Sequence, residues 1–135
     1  MICLYAWIGY TDLQAALEND KPGSGPIAKA VIERKLDQII LLSDHDNKSN
    51  QKFVKWLKNF TSSPINIYPT RLTSPTNFSE IYEFASLIVK DTTKDKIKDP
   101  NLIFHLSPGT PAMSAVWIIL AKTRFPAELI ESSPE

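Results

Sequence analysis

The chain has 135 residues, one ordinary domain's worth of polypeptide, and its 43% apolar and 22% charged residues describe a globular protein able to bury a core unaided. Fifteen basic residues offset fifteen acidic ones, which argues against a broad electrostatic surface for duplex DNA or an anionic bilayer, so a phosphate ligand must be held locally. No apolar run approaches the roughly 18 residues of a membrane span, and MICLYAWIGY lacks the basic leader and cleavage site of a signal peptide, so a cytoplasmic location is expected.

Short β-branched and aromatic runs alternate with helix-period segments, the pattern of βαβ units around a mostly parallel sheet of five or six strands, an α/β Rossmann-like three-layer sandwich. Ile2 to Ile8 is the first strand, with the single cysteine, Cys3, as a small core residue. Gly9 to Pro26 contains Asp20, Pro22, Gly23 and Gly25 and reads as a loop with a helical turn around Leu13 to Leu17. Pro26 suits the first turn of a helix over Ile27 to Lys35, and the apolar run Gln38 to Leu42 is a strand covered on both faces.

A second helix is expected near Asn50 to Phe60, with Phe53, Val54, Leu57 and Phe60 as its apolar stripe. Ile65 to Leu72 reads as a more exposed strand, which Pro69 places at an edge or a bulge. Thr76 or Asn77 caps a third helix bearing Phe78, Ile81, Tyr82, Ala85 and Ile88, and Glu80 stands where a capping box wants it. DTTKDKIKDPN is a solvated connector, Leu102 to Leu106 the fourth strand, Thr110 to Thr123 the fourth helix, and Ala127 to Ile130 a short fifth strand. No internal repeat appears, and the ending Ser133-Pro134-Glu135 reads as that of a single sensor domain, residues 1–135, excised from a longer regulator.

Three loops that follow strands carry candidate chemistry, and the first two would open on the same sheet edge, where helix N-termini attract anions. The first is His105-Leu106-Ser107-Pro108-Gly109-Thr110-Pro111-Ala112-Met113: Gly109 permits a close backbone approach or a positive φ, Ser107 and Thr110 supply hydroxyls, and Pro111 pre-sets the helix. A plain strand-to-helix turn with Thr110 as N-cap explains the same residues. The second is Gly9-Tyr10-Thr11-Asp12, which carries neither a dinucleotide fingerprint nor a P-loop. The third is Ser43-Asp44-His45-Asp46, whose acids and imidazole serve either as ligand groups or, more simply, as turn and helix caps. His105, inside an apolar strand, reads as a hydrogen-bonded core group rather than a general base. Trp7, Trp56 and Trp117 read as core, with Trp7 also able to stack on a base from its strand's end.

With these residues in place, HLSPGTP at a strand-to-helix turn resembles the signature loop of CARF domains, the CRISPR-associated Rossmann fold, whose usual pattern there is Asn, any residue, Thr, Gly, Gly, Thr, Lys. The stretch FHLSPGTPAMSAVWIILAKTRFPAELIESSPE, with LTSPTNFSEIYEF before it, is similar to the N-terminal sensor domain of the RtcR regulators, sigma-54-dependent activators of RNA-repair operons. Their Leu-Ile-x-Ser-Ser-Pro ending is matched by Leu129, Ile130, Ser132, Ser133 and Pro134. The likeness is specific over residues 102 to 135 and weak over residues 9 to 35.

The resemblance implies a homodimer whose signature loops line one groove, binding a cyclic oligoadenylate or an RNA end with a terminal phosphate and relaying the signal to a downstream AAA+ domain. Carried over, Ser107, Pro108, Gly109 and Thr110 would hold phosphate or ribose, Met113 would line the pocket, and Gly9, Tyr10 and Thr11 would form the other wall; Asp44, from the third loop, is a further candidate ligand-binding residue. His105, Pro108 and Pro111 depart from the pattern. Pro111 replaces the family's Lys, which removes the expected cation, and Pro108 removes one N–H donor. The reading is therefore a binding module with no catalytic residue, no metal ligand and no cofactor. The alternative is a metal-independent ring nuclease that cuts cyclic oligoadenylate with help from Ser107, Thr110 or His45.

Overall fold

In the computed structural model, residues 1–18, 24–94 and 98–132 are described. Five parallel strands, β1 (Ile2–Trp7), β2 (Gln38–Ser43), β3 (Ile65–Pro69), β4 (Asn101–His105) and β5 (Ala127–Ile130), form one sheet in the order β3-β2-β1-β4-β5. Five helices accompany them: α1 (Tyr10–Leu17), α2 (Pro26–Glu33), α3 (Asn47–Leu57), α4 (Phe78–Lys94) and α5 (Pro111–Thr123). The Rossmann-like reading holds, with five strands and every pairing parallel.

The two-residue period of β1 explains the three layers. Cys3, Tyr5 and Trp7 face α4 and α5, packed with Phe104, Met113, Val116 and Trp117, whereas Leu4, Ala6 and Ile8 face α1, α2 and α3, packed with Ile27, Val31, Phe53 and Leu57. Both faces are dry, so β1 reads as an unbroken apolar run. Trp7 and Trp117 are fully buried and their indole Nε1 atoms have no hydrogen-bond partner among the described residues. Trp7 is thus core alone, and no face of it is left to stack on a base.

Element boundaries differ from the sequence reading where side chains hydrogen-bond to nearby backbone. The expected loop after β1 contains the eight-residue helix α1, because Gly9 serves as N-cap and its N–H is taken by the Asp12 carboxylate (2.9 Å). The breakers Asp20, Pro22 and Gly23 lie outside the described residues, as do residues 95–97 and the chain end, Ser133 and Pro134 included. Helix α3 starts three residues early, since Asp46 accepts from the Ser49 N–H (2.8 Å) and caps it. Helix α4 runs on into the supposed connector to Lys94; the Thr92 and Thr93 hydroxyls fold back onto the Ile88 and Val89 carbonyls, and Tyr5 and Thr92 hydrogen-bond at 2.7 Å. Asn77 does cap α4, accepting from the Glu80 N–H at 3.1 Å. The Glu80 carboxylate reaches instead to the Thr73 N–H and hydroxyl, so no reciprocal box forms. Strand β3 ends at Pro69, short of Leu72, and occupies the sheet edge that its proline indicated.

Candidate functional site

From β1 the chain builds outward through β2 to β3, then returns to place β4 and β5 on the other side. The strand order therefore reverses between β1 and β4, and the crevice outside the carboxyl ends of those two strands is where such sheets bind ligands. The Gly9 loop leaves β1 and the Ser107–Thr110 loop leaves β4 at this point. They touch: a Cβ built on Gly9 would stand 2.6 Å from the Gly109 backbone nitrogen. Glycine at position 9 is thus required by close approach. Gly109 takes φ +85°, the left-handed region the sequence pattern anticipated, with Met113 Sδ beneath it.

The β4 loop is pinned at nearly every side chain. The Ser107 N–H donates to His105 Nδ1 (3.3 Å), and its Oγ accepts the Ser132 N–H (2.8 Å). Pro108 is buried. Thr110 caps α5 by accepting the Met113 N–H (3.4 Å), while its own hydroxyl proton goes to the Pro75 carbonyl (2.7 Å). Met113 is buried and its sulfur receives the Thr110 N–H (3.3 Å). The backbone N–H groups of Gly109 and Ala112 find no acceptor among the described residues. Those of Tyr10 and Thr11, in the first turn of α1, are likewise unpaired among the described residues.

Asp44 makes no hydrogen bond to either of these loops among the described residues. Its Oδ1 accepts the Leu72 N–H (2.7 Å), and Ser43 C=O accepts the Thr70 N–H (2.8 Å), so the end of β2 anchors the segment that leaves β3. That segment ends in the Pro75 contact with Thr110; residues 70–77 thus connect the edge strand to the β4 loop. His45 donates from Nε2 to the Ile8 carbonyl (2.9 Å), and Asp46 is spent on capping α3. The simpler turn-and-cap reading of Ser43 to Asp46 accounts for these bonds. No group of three or more metal-ligating side chains occurs among the described residues.

Asp12, named in the Gly9 loop but given no role of its own, and Ser132, given no site role, bear on the geometry. Asp12 is 1% exposed, and its carboxylate accepts both the Gly9 N–H and the Ile27 N–H (3.0 Å). Burial outweighs those donors and pushes its carboxyl up to about 7. Ser132 receives a bond from His105 Nε2 (2.8 Å). His105 is itself fully buried, a satisfied core imidazole as the sequence suggested, and burial lowers its pKa. An acid three residues after a cap glycine was a signal for Asp12; nothing local marks Ser132, whose partners lie 25 and more residues away.

A separate cleft of about 600 Å³ opens at the opposite end of the sheet, lined by Ile2, Arg34, Lys35, Asn101 and Glu128, with Arg34 and Glu128 paired at 3.1 Å. It faces the starts of the strands and shares no residue with the loops above. No helix among the described residues is long and apolar enough to cross a membrane.

The chain is thus a Rossmann-like α/β fold whose Gly9 and Gly109 loops meet at the switch point of the sheet. No family profile matches the sequence, and no characterised relative matches it. Solved structures do. The chain is similar to Enterococcus italicus Csm6 bound to cyclic hexa-2'-fluoro-hexa-dAMP, with a TM-score of 0.75 and 19% identity over 98% of this chain and 33% of that one. It is also similar to Can2 from Sulfobacillus thermosulfidooxidans in complex with cyclic tetra-adenylate, with a TM-score of 0.69 and 15% identity over 98% of this chain and 32% of that one. The chain spans about a third of each, and at these identities the likeness is one of fold.

Proposed function

We propose that this chain is a CARF-type sensor that captures phosphates of a cyclic oligoadenylate, or of an RNA end bearing a 2′,3′-cyclic phosphate, at the switch-point crevice. Its working form is a cytoplasmic homodimer with the crevices of two copies lining one groove. In this reading the sensor relays binding to an effector, an AAA+ sigma-54-interacting domain if the RtcR likeness extends to the whole protein. Ligand binding shifts the arrangement of protomers only by as much as it favours one arrangement over the other.

The observation that carries the reading is the meeting of two helix N-termini, α1 and α5, at glycines 9 and 109, where the N–H groups of Tyr10, Thr11 and Ala112 in their first turns, and of Gly109 just before α5, have no acceptor among the described residues. Such groups hold anions without a lysine. Gly9, Tyr10 and Thr11 form one wall and Ser107, Gly109 and Thr110 the other, with Pro108 and Met113 supporting the loop from inside and Asp44 at the flank. The cyclic oligoadenylates held by the two similar structures favour that ligand class. The alternative is a metal-independent ring nuclease at the same loops, in which Thr110, Ser107 and His45, each hydrogen-bonded to backbone here, would assist cleavage.

The test is calorimetry with cyclic tetra- and hexa-adenylate and with RNA ending in 2′,3′-cyclic phosphate, followed by chromatography of the ligand, using Gly109→Trp as the blocked control. We expect saturable heat, intact ligand, and loss of binding in the variant. Linear product would establish the nuclease instead, and no heat from any of the three would overturn the sensor reading.

A further inference from the structure

The Pro26–Ile27 peptide at the start of α2 is gripped on both sides by buried groups. Its N–H donates to Asp12 Oδ1 (3.0 Å), and its C=O accepts from His105 Nε2 (3.0 Å) and from the Ser132 hydroxyl (3.2 Å). In a trans peptide these two groups point in opposite directions, so Asp12 and His105 flank one rigid plane. Each of them also holds a crevice loop by a backbone N–H: Asp12 takes Gly9, and His105 Nδ1 takes Ser107. Because Nδ1 accepts and Nε2 faces a carbonyl, the imidazole is neutral with its proton on Nε2. The circuit closes where Gly9 abuts Gly109.

We propose that this clamped peptide sets the spacing of the two loops, making Asp12 and His105 positioning residues for ligand capture rather than ligand contacts. The proposal rests on the crevice being the ligand site. Neither side chain is exposed, and each reaches the crevice only through a backbone amide. A shift of α2 by a fraction of an ångström along the peptide's N–H and C=O would lengthen the bond on one side and shorten that on the other, and a shift across them would lengthen both, so both loops would respond together. Removing either clamp should therefore loosen the far loop as well as the near one.

The discriminating measurement is hydrogen exchange of the Gly9 and Ser107 amides above about pH 8 in Asp12→Asn, His105→Gln and the double variant, with Ser132→Ala as a milder loosening of the same peptide. Asn offers only one acceptor oxygen to the two amides that Asp12 serves. We expect His105→Gln to speed exchange at Gly9 and Asp12→Asn to speed it at Ser107, each several-fold, and the double variant to exceed neither single by much. In wild type, the imidazole ¹⁵N shifts should report the Nε2–H tautomer. Cyclic tetra- and hexa-adenylate binding should weaken about ten-fold in each single variant and no further in the double. Effects confined to the near amide, or singles that add in full, would overturn the clamp, and where the substitutions unfold the chain the Ser132→Ala exchange pattern decides alone. Wild-type protein that binds neither cyclic oligonucleotide would defeat the ligand reading while leaving the exchange result to judge the clamp.

Discussion

Asp12 shows how much one residue can do when it is buried with two backbone donors. Its carboxylate satisfies the first turns of α1 and α2 together, yet removal from water dominates and the folded protein holds the proton far more tightly than the unfolded chain. The contribution of Asp12 to stability is thus complete below about pH 4 and disappears as pH rises through about 7. Over roughly three pH units at ~1.4 kcal/mol each, the loss amounts to a few kcal/mol. His105 works in the opposite sense: with a lowered pKa, its share is present above its ordinary value near 6.5 and falls away in acid. Asp12→Asn should therefore flatten the decline of unfolding free energy between about pH 4 and 7 in denaturant titrations. Parallel wild-type and variant pH profiles would show that Asp12 does not titrate in that window.

Among the elements, α5 carries both the site and much of the core. Its buried face presents Met113, Val116, Trp117 and Leu120 to the sheet, and the Trp117 ring lies 4.5 Å from Phe104 and 6.3 Å from Tyr5 by centroid. Trp117→Ala should cost about 3 to 5 kcal/mol in chemical unfolding, since a closed aromatic cluster cannot collapse into the space. At the other end of the helix, Thr110 holds the first turn and the 70–77 segment with one hydroxyl. Thr110→Ala should lose about 1 kcal/mol and raise hydrogen exchange across residues 70–77, with Thr110→Ser close to wild type. Stability loss in Thr110→Ala with unchanged exchange there would mean that the Pro75 bond contributes nothing. The elements themselves were largely legible: β1, β2 and β4 stand out as apolar runs, β5 as a short strand, and α2, α4 and α5 by their spacing. Helix α1 was not, because its start depends on Gly9 and Asp12 acting together, and eight residues give too little periodicity to see through the breakers that follow.

For the whole molecule, balanced charge becomes a statement about how a ligand is held. In the loops at the strand C-terminal ends, Arg71 is the single Lys or Arg among the described residues, so capture falls to backbone N–H groups. Affinity for a cyclic oligoadenylate should drop only about three-fold between roughly 50 and 200 mM salt, the counterion release of one phosphate contact. A drop of a hundred-fold or more would point to a cationic groove. Composition and period alone determined that the fold is α/β, where its strands lie, and that the turn after β4 needs a glycine, because these follow from local sterics and from which faces must leave water. Strand order belongs to the tertiary structure. Only when β4 pairs with β1 does Gly9 meet Gly109, and only when α2 packs on the sheet do Asp12 and His105, 93 positions apart in the sequence, find the same peptide. Contacts of that range depend on how layers stack, which no local pattern in the chain encodes.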